Sequence, residues 1–172
     1  MSDLCKRKSA RLKNYDYSTP GAYFVTICAY KRKEIFSQIV GAIHESPENV
    51  LTAYGEIVNG VISKLPEKFD IEIPKYVIMP NHIHLIVQIN DNIAERAIRE
   101  SPLHSRHSVL SNVVGYLKMN ASKQIHLMSP ETVAWQRSYH DHIIRGEADY
   151  KKIWEYINSN VIQWEKDCFY CK

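Results

Sequence analysis

The chain has 172 residues, of which 45% are hydrophobic and 24% are charged, and its formal net charge is +3. This size and composition predict one globular domain, residues 1–172, that can bury a hydrophobic core. No apolar run approaches the roughly 18 residues that cross a bilayer, and the first residues lack the apolar stretch of a signal peptide, so we expect a soluble cytoplasmic protein with no membrane partner.

Basic side chains crowd the start of the chain, within an arm that covers residues 1–20. Such an arm suits a phosphate backbone, although a solvated terminus would have the same composition. Its candidates for contact with DNA are Lys6, Arg7, Lys8, Arg11 and Lys13.

The first half of the chain predicts a strand, a helix and a hairpin. Residues 21–30 predict a strand because GAYFVTICAY is rich in aromatic and β-branched residues. Residues 50–69 predict a helix that starts after Ser46 and Pro47, because apolar residues recur there at intervals of three and four. The segments IEIPKYVIM and HIHLIVQI then predict antiparallel strands joined at the turn-forming pair Pro80-Asn81.

The second half predicts a loop, a helix, a strand and a last helix. Residues 90–108 are charged and have no apolar period, which is typical of a long loop or a mobile insertion. The next segment predicts an amphipathic helix with Lys118 and Lys123 on its sides. WQRSYHDHIIR predicts a fourth strand, and a third helix begins at Gly146. The apolar positions of the amphipathic helix are Leu110, Val113, Val114, Leu117, Ala121 and Ile125.

The order β-α-β-β-α-β plus a C-terminal helix predicts an α+β fold of the ferredoxin-like, split β-α-β type. Such a fold has a four-stranded antiparallel sheet with two helices on one face. Many functions occur on this fold, so function has to be inferred from particular residues.

His82 and His84 are the first candidates for chemistry. Side chains alternate along a strand, so both imidazoles point to one face while Ile83 points to the other. Two imidazoles on a rigid central strand make half of a site for a divalent cation. Two ordinary hairpin histidines would give the same pattern.

His140 and His142 form a competing pair, but the residue between them is Asp141. That carboxylate would have to face the other side of the sheet, where it is costly unless paired. We therefore favour His82 and His84, and interpret His142 with Asp141 as a surface pair or a supporting pair near the same site.

The third helix carries a polar stripe beside its apolar face. Tyr156 and Asn160 are four residues apart, so they lie on the same side of the helix, separated by one turn. They could therefore present a hydroxyl and an amide oxygen to one point. Lys152 lies one turn earlier. A tyrosine at the edge of a helix also packs commonly against a core, and that alternative stays open.

Together these residues predict phosphoryl-transfer chemistry. Mg²⁺ or Mn²⁺ bound by His82, His84 and Asn160 would keep positions open for phosphate oxygens, and Tyr156 could attack the phosphorus. The products would be a phosphotyrosine and a free 3′ hydroxyl. Because the phosphotyrosine conserves the energy of the ester bond, rejoining needs no ATP. In agreement, the chain has no phosphate-binding Gly-x-x-x-x-Gly-Lys loop.

Three ordered motifs also resemble the REP-associated tyrosine transposases, which are relatives of the single-tyrosine HUH transposases of bacterial insertion sequences. The motifs are RKSARLKNYDYSTPGAYFVTICAYKRKEIF, YVIMPNHIHLIV and WQRSYHDHIIRGEADYKKIWEYINSNVIQW. The resemblance implies metal binding at His82 and His84, a nucleophile at Tyr156 and a metal-binding amide at Asn160. Relatives often have Asn-Pro where this chain has Asn160-Val161, a difference that removes no ligand.

The resemblance also implies a partner, namely hairpins in single-stranded DNA, and leaves a homodimer possible. The candidates for DNA contact are then the basic arm, the long loop, Lys118, Lys123 and Lys152. Three alternatives remain open from the sequence. One is a nucleic-acid-binding module like the RNA-recognition domains, with Tyr23, Phe24 and Tyr30 as base-stacking residues. The second is a domesticated transposase that binds DNA hairpins without cutting them. The third is a metal-dependent hydrolase that uses water, which leaves Tyr156 without a role.

Overall fold

The fold is built on one antiparallel sheet of four strands. A computed structural model describes residues 15–41, 47–90 and 108–170. In these ranges the sheet strands are β1 (Gly21–Cys28), β4 (Ile71–Ile78), β5 (His82–Ile89) and β6 (His140–Ile143). Their order across the sheet is β4-β5-β1-β6. The predicted ferredoxin-like α+β fold is confirmed, including the hairpin that turns at Pro80-Asn81.

The helices lie on both faces of this sheet. Their bounds are α1 (Ala53–Ile62), α2 (Leu65–Phe69), α3 (Val109–Met128) and α4 (Glu147–Ser159). Short 3₁₀ turns cover Tyr30–Arg32 and Trp164–Lys166. A separate hairpin is formed by β2 (Ser37–Val40) and β3 (Glu48–Leu51).

One face of the sheet carries the main hydrophobic core. Val25, Ile83 and Leu85 point to this face and pack with buried side chains of α1 and α3. All six apolar positions predicted for the second helix are buried in α3. The spacing of apolar residues therefore specified the inner face of that helix, because a helix in a small domain is stabilised mainly by burying one stripe.

The opposite face of the sheet is covered by the C-terminal helix α4. Ile153 and Ile157 of α4 are buried against Ile86 of β5, with Phe24 beside them. Since side chains alternate along β5, His84 shares a face with Ile86 rather than with Leu85. This packing brings the polar flank of α4 to the histidine end of β5.

Three predicted boundaries were wrong. The first strand, expected over residues 21–30, ends at Cys28. The helix expected over residues 50–69 starts only at Ala53 and is broken between Ile62 and Leu65, and the residues before it belong to β3. The start depends on Thr52, whose hydroxyl accepts a hydrogen bond from the Gly55 N–H at 3.1 Å and so caps the first turn. The fourth strand is also shorter than expected, because Trp135 contributes only an isolated bridge to Ala29.

Several predictions fall on residues outside the described ranges. They include the five basic candidates of the arm, Ser46 of the predicted helix start, and residues 91–107 of the predicted loop. Within the described ranges, none of the helices combines the length and the apolar character that crossing a membrane requires.

Gly55 gives a test of how α1 packs against the β2–β3 hairpin. A Cβ at this position would collide with the backbone carbonyl of Phe36, which cannot move without disturbing the hairpin. Gly55→Ala should therefore lower the free energy of unfolding by about 3 kcal/mol in urea titrations. Gly60→Ala in the same helix is the control, because its Cβ would meet nothing within 4 Å. That change should stabilise by about 0.5–1 kcal/mol, and equal effects at the two sites would contradict this packing.

Candidate active site

His82 and His84 lie side by side at the start of β5. Their Nε2 atoms are 2.9 Å apart, and the side chains are almost fully buried, with exposed fractions of 0% and 1%. The rings meet nearly edge to face, with centroids 4.4 Å apart. Alternation along the strand accounts for the shared face, and Ile83 between them points into the main core.

Burial keeps both imidazoles neutral. Loss of hydration lowers the pKa of His82 to about 3, and the nearby Arg32 charge acts in the same direction. The pKa of His84 lies well below its usual value, again mainly because of burial and next because of His82. Neutral imidazole is the form that offers a lone pair to a metal ion. Both rings are therefore uncharged at neutral pH, as binding of a metal ion would require.

Tyr156 of α4 reaches the histidine pair. Its Oη is 3.2 Å from His84 Nε2, and its ring packs edge-on against Phe24 with centroids 6.0 Å apart. The residue is 38% exposed, so Tyr156 lies partly at the surface while its hydroxyl contacts the buried imidazole. Two distant parts of the sequence thus meet within one chain.

Asp167 is a site residue that the sequence interpretation missed. Its Oδ2 accepts hydrogen bonds from Tyr156 Oη and from Asn160 Nδ2, each at 2.9 Å. Burial and then the Asp167 charge raise the pKa of the Tyr156 phenol well above its usual value. Asp167 lies beyond the end of α4, where neither helical nor strand periodicity could have aligned it with Tyr156. A carboxylate eleven residues after a tyrosine is not a recognisable pattern.

Asn160 lies at the end of α4 and is 2% exposed. Its Nδ2 is used by Asp167, whereas its Oδ1 is buried with no hydrogen-bond partner among the described residues. An unsatisfied buried carbonyl oxygen costs free energy unless something binds it. A cation would satisfy this oxygen.

The donor atoms fit a divalent cation. Ligand atoms of His82, His84 and Asp167 all lie within 4.8 Å of one another. Neighbouring ligands of an octahedral ion with bonds of about 2.1 Å are about 3 Å apart. The 2.9 Å between the two Nε2 atoms agrees with that spacing. Carboxylate and amide oxygens suit Mg²⁺ and Mn²⁺, and imidazole nitrogens suit divalent transition metals.

The segment that follows Asp167 covers the other side of the site. The Phe169 ring lies 4.6 Å from the His82 ring, between centroids. Arg32 donates from Nη1 to the Cys168 carbonyl at 3.0 Å and lies 5.0 Å from the centre of the Phe169 ring. Lys31 and Arg32 have φ angles of 53° and 54°, a left-handed conformation that is unfavourable for these residues. A strained turn thus places the Arg32 guanidinium near the histidines. No pattern in the sequence predicts this position.

His142 contacts Asp149 of α4 through Nε2 at 2.8 Å, a contact that the sequence interpretation did not include. His142 shares the α4 face with Phe24, whereas Asp141 is opposite Val25 and points to the other face, as strand alternation predicted. The supporting role of His142 and Asp141 stays a prediction. Asp149 also accepts a hydrogen bond from the Arg145 N–H, and this bond, more than His142, lowers the pKa of Asp149.

The lysines predicted to contact DNA have different environments. Lys123 and Lys152 are exposed and available to a phosphate backbone. Lys118 is part-buried, and its Nζ donates to the carbonyls of Gln136 and Ser138 at 2.6 and 2.9 Å. Burial lowers its pKa to about 8. The ammonium group therefore anchors the segment before β6.

Lys118→Met tests this anchoring role. The change should lower the free energy of unfolding by about 2 kcal/mol, because two carbonyls lose a charged donor. Lys123→Met on the same helix should change it by less than about 0.5 kcal/mol, and should instead weaken the salt dependence of DNA binding. Urea titrations and binding at several salt concentrations measure both effects. A stable Lys118→Met variant with weakened DNA binding would restore the interpretation drawn from the sequence.

Comparisons with known proteins agree with the fold and the motifs. The chain is 31% identical over 172 residues to an uncharacterised protein of Haemophilus influenzae, a match that covers 95% of this chain and 93% of the other. It is 25% identical to a second protein of that organism, named as a REP-associated tyrosine transposase, over 88% of this chain and 77% of the relative. No family model matches the chain.

A solved structure has the same fold. It is a REP-associated tyrosine transposase bound to a REP hairpin, and it superimposes with a TM-score of 0.55 over 90% of this chain and 73% of that one. The two sequences are 19% identical, so this match shows a shared arrangement of helices and strands and nothing beyond the fold.

Proposed function

Because this chain belongs to the family of REP-associated tyrosine transposases, we propose that it cuts single-stranded DNA and transfers the strand through Tyr156. The observation that carries the proposal is the position of the Tyr156 hydroxyl, 3.2 Å from His84 Nε2 and 2.9 Å from Asp167 Oδ2. The Tyr156 phenol thus lies next to a carboxylate that accepts its hydrogen bond and next to the buried histidine pair, which supports this proposal.

The nucleophile is the phenol oxygen. Tyr156 Oη attacks the phosphorus of a backbone phosphate, and the bond between that phosphorus and the 3′ oxygen breaks with its electron pair on the oxygen. The phenolic proton passes to Asp167 Oδ2, which already accepts it in a hydrogen bond. The 3′ oxygen takes up a proton from solvent. The products are a 5′-phosphotyrosine and a free 3′ hydroxyl.

His82, His84 and Asn160 would hold a divalent cation, Mg²⁺ or Mn²⁺, next to this phosphate. When bound, the cation supplies a Lewis acid that polarises the phosphate oxygens and favours the phenolate. The unusually high pKa of the free phenol means that Tyr156 is unreactive without such help at neutral pH.

Rejoining follows by the reverse chemistry. A 3′ hydroxyl of another strand end attacks the phosphotyrosine and releases its proton to solvent. The phosphodiester re-forms as the bond between phosphorus and the Tyr156 oxygen breaks, and the phenolate takes back the proton held by Asp167. No nucleotide is consumed, because the energy of the cut bond is kept in the phosphotyrosine. A strand transferase needs this stored bond energy because it reseals a strand. A hydrolase does not reseal the strand and has no such need.

The proposed substrate is a hairpin in single-stranded DNA. The solved relative is bound to a REP hairpin, which supports a nucleic acid partner of this kind here. Lys123, Lys152 and the basic arm would contact phosphates. One chain supplies both His84 and Tyr156, so the proposed site does not require a homodimer.

The test is an assay for a covalent adduct. The protein is incubated with hairpin DNA labelled at either end, with Mg²⁺, Mn²⁺ or EDTA, and run on denaturing gels. We expect a protein–DNA adduct that carries the 3′ portion of the strand, a released fragment with a 3′ hydroxyl, and neither in EDTA. Cleavage without an adduct would identify a hydrolase instead. Tight binding without cleavage under all conditions would identify a hairpin-binding module.

A further inference from the structure

Two buried polar side chains contact the outer nitrogens of the histidine pair. Thr26 Oγ1 lies 2.8 Å from His84 Nδ1, and Asn81 Oδ1 lies 2.9 Å from His82 Nδ1. Thr26 is 4% exposed and Asn81 is 0% exposed. A buried imidazole has two neutral tautomers, and the partner of one nitrogen decides which nitrogen carries the proton. These contacts therefore decide which lone pairs face the cation site.

Asn81 fixes the tautomer of His82. The hydrogen bond from Asn81 Nδ2 to the Phe169 carbonyl, at 2.8 Å, fixes the orientation of the amide. The amide oxygen Oδ1 therefore faces His82. A carbonyl oxygen can only accept, so His82 Nδ1 must carry the proton. His82 Nε2 then has a bare lone pair that points at His84.

Thr26 allows the tautomer of His84 to change. At a separation of 2.9 Å, two bare Nε2 atoms would repel each other, so His84 Nε2 carries a proton and donates it to His82 when no cation is bound. His84 Nδ1 then accepts a hydrogen bond from the Thr26 hydroxyl. Binding of a cation needs the Nε2 lone pair of His84, so the proton must move to Nδ1. A hydroxyl can rotate and accept that bond, whereas a carbonyl or an amide N–H could serve only one of the two states.

We propose that Thr26 and Asn81 are positioning residues that set the histidine tautomers for cation binding. Asn81 holds His82 in the ligand form permanently, and Thr26 lets His84 alternate between a donor to His82 and a ligand. The inference rests on the proposed function, because it concerns the cation site of that reaction. Partners of this kind typically change metal affinity 10- to 100-fold when they are removed.

The first measurement needs no metal and no DNA. Long-range ¹H–¹⁵N spectra of metal-free protein labelled at histidine report the proton on each ring nitrogen. We expect His82 to carry its proton on Nδ1 and His84 on Nε2. The opposite tautomer at either ring, in a folded protein, would overturn the inference.

The second measurement is Mn²⁺ affinity by calorimetry. Thr26→Val keeps the shape of the side chain and removes the hydroxyl, and it should raise the dissociation constant at least about 10-fold. Thr26→Ser keeps the hydroxyl and should stay within about 3-fold of the wild type. Thermal melts show whether each variant is folded, and the serine variant guards against a merely structural effect. Equal affinities for the valine variant and the wild type would overturn the role of Thr26.

These results separate the inference from the proposed function. If the wild type binds Mn²⁺ and forms the DNA adduct but Thr26→Val does so equally well, the inference fails and the proposed function stands. If the tautomers and the loss of Mn²⁺ affinity in Thr26→Val are as expected but no adduct forms, the inference stands and the proposed strand transfer fails. If the wild type binds no Mn²⁺, the cation site fails and the inference fails with it.

Discussion

Tyr156→Phe is expected to abolish the covalent protein–DNA adduct and to slow strand cleavage at least about 10³-fold, because it removes the proposed nucleophile. Phenylalanine keeps the ring contact with Phe24, so the fold should be retained. The variant should still bind hairpin DNA with affinity close to that of the wild type, since the hydroxyl is one contact among many. Denaturing gels measure the adduct, and mobility shifts under native conditions measure binding.

Tyr150→Phe is the matched control. Tyr150 is on the same helix, but its ring stacks on Trp154 with centroids 5.9 Å apart, on the other flank of α4 from Tyr156. Loss of its hydroxyl should leave the adduct unchanged within about 2-fold. An adduct that survives Tyr156→Phe and disappears in Tyr150→Phe would move the nucleophile to Tyr150. An adduct that survives both changes would show that neither tyrosine of this helix is the nucleophile.

The sequence was sufficient to predict the parts of the site that follow from periodicity. Alternation in β5 put His82 and His84 on one face, and the turn of the helix put Tyr156 and Asn160 on one flank. The structure shows these groups within hydrogen-bonding distance of one another or of Asp167. Their roles in catalysis stay predictions, because position alone does not establish reactivity.

Periodicity could not predict the parts that depend on turns and on packing between distant segments. Asp167 is placed by a 3₁₀ turn after α4, and Arg32 by two residues in a left-handed conformation. Neither feature has a sequence pattern strong enough to identify it. The same limit explains the missed hairpin of β2 and β3, whose four-residue strands are too short for a clear alternation.

The contrast between the two histidine pairs shows what the sequence could decide. Both pairs have the spacing His-x-His, and the preference for His82 and His84 rested on the apolar residue between them. In the structure that pair is buried at the centre of the sheet, whereas His140 and His142 are exposed on the edge strand β6. Burial lowers the pKa of His82 and His84 and so keeps both rings uncharged at neutral pH, as the proposed metal site requires.

His84→Gln is expected to weaken Mn²⁺ binding at least about 100-fold and to reduce adduct formation at least about 10³-fold at a fixed, limiting concentration of Mn²⁺. Glutamine fills similar space and can keep the contact with Thr26, but it is a much weaker ligand than imidazole. Because the defect lies in metal affinity, a large excess of Mn²⁺ should restore part of the activity. Removing metal from the wild type with EDTA should reproduce the defect, and added Mn²⁺ should reverse it fully.

His140→Gln is the control for the identity of the metal site. His140 lies directly across β1 from His84, since both are opposite Thr26 in the register of the sheet. It is nevertheless exposed, and none of its ring atoms belongs to the cluster of donor atoms found among the described residues. His140→Gln should therefore keep Mn²⁺ affinity and adduct formation within about 2-fold of the wild type. If both glutamine variants lost activity equally, the cation would have to lie between the two strands, over Thr26, and the positions of Tyr156 and Asp167 next to His84 would lose their catalytic meaning.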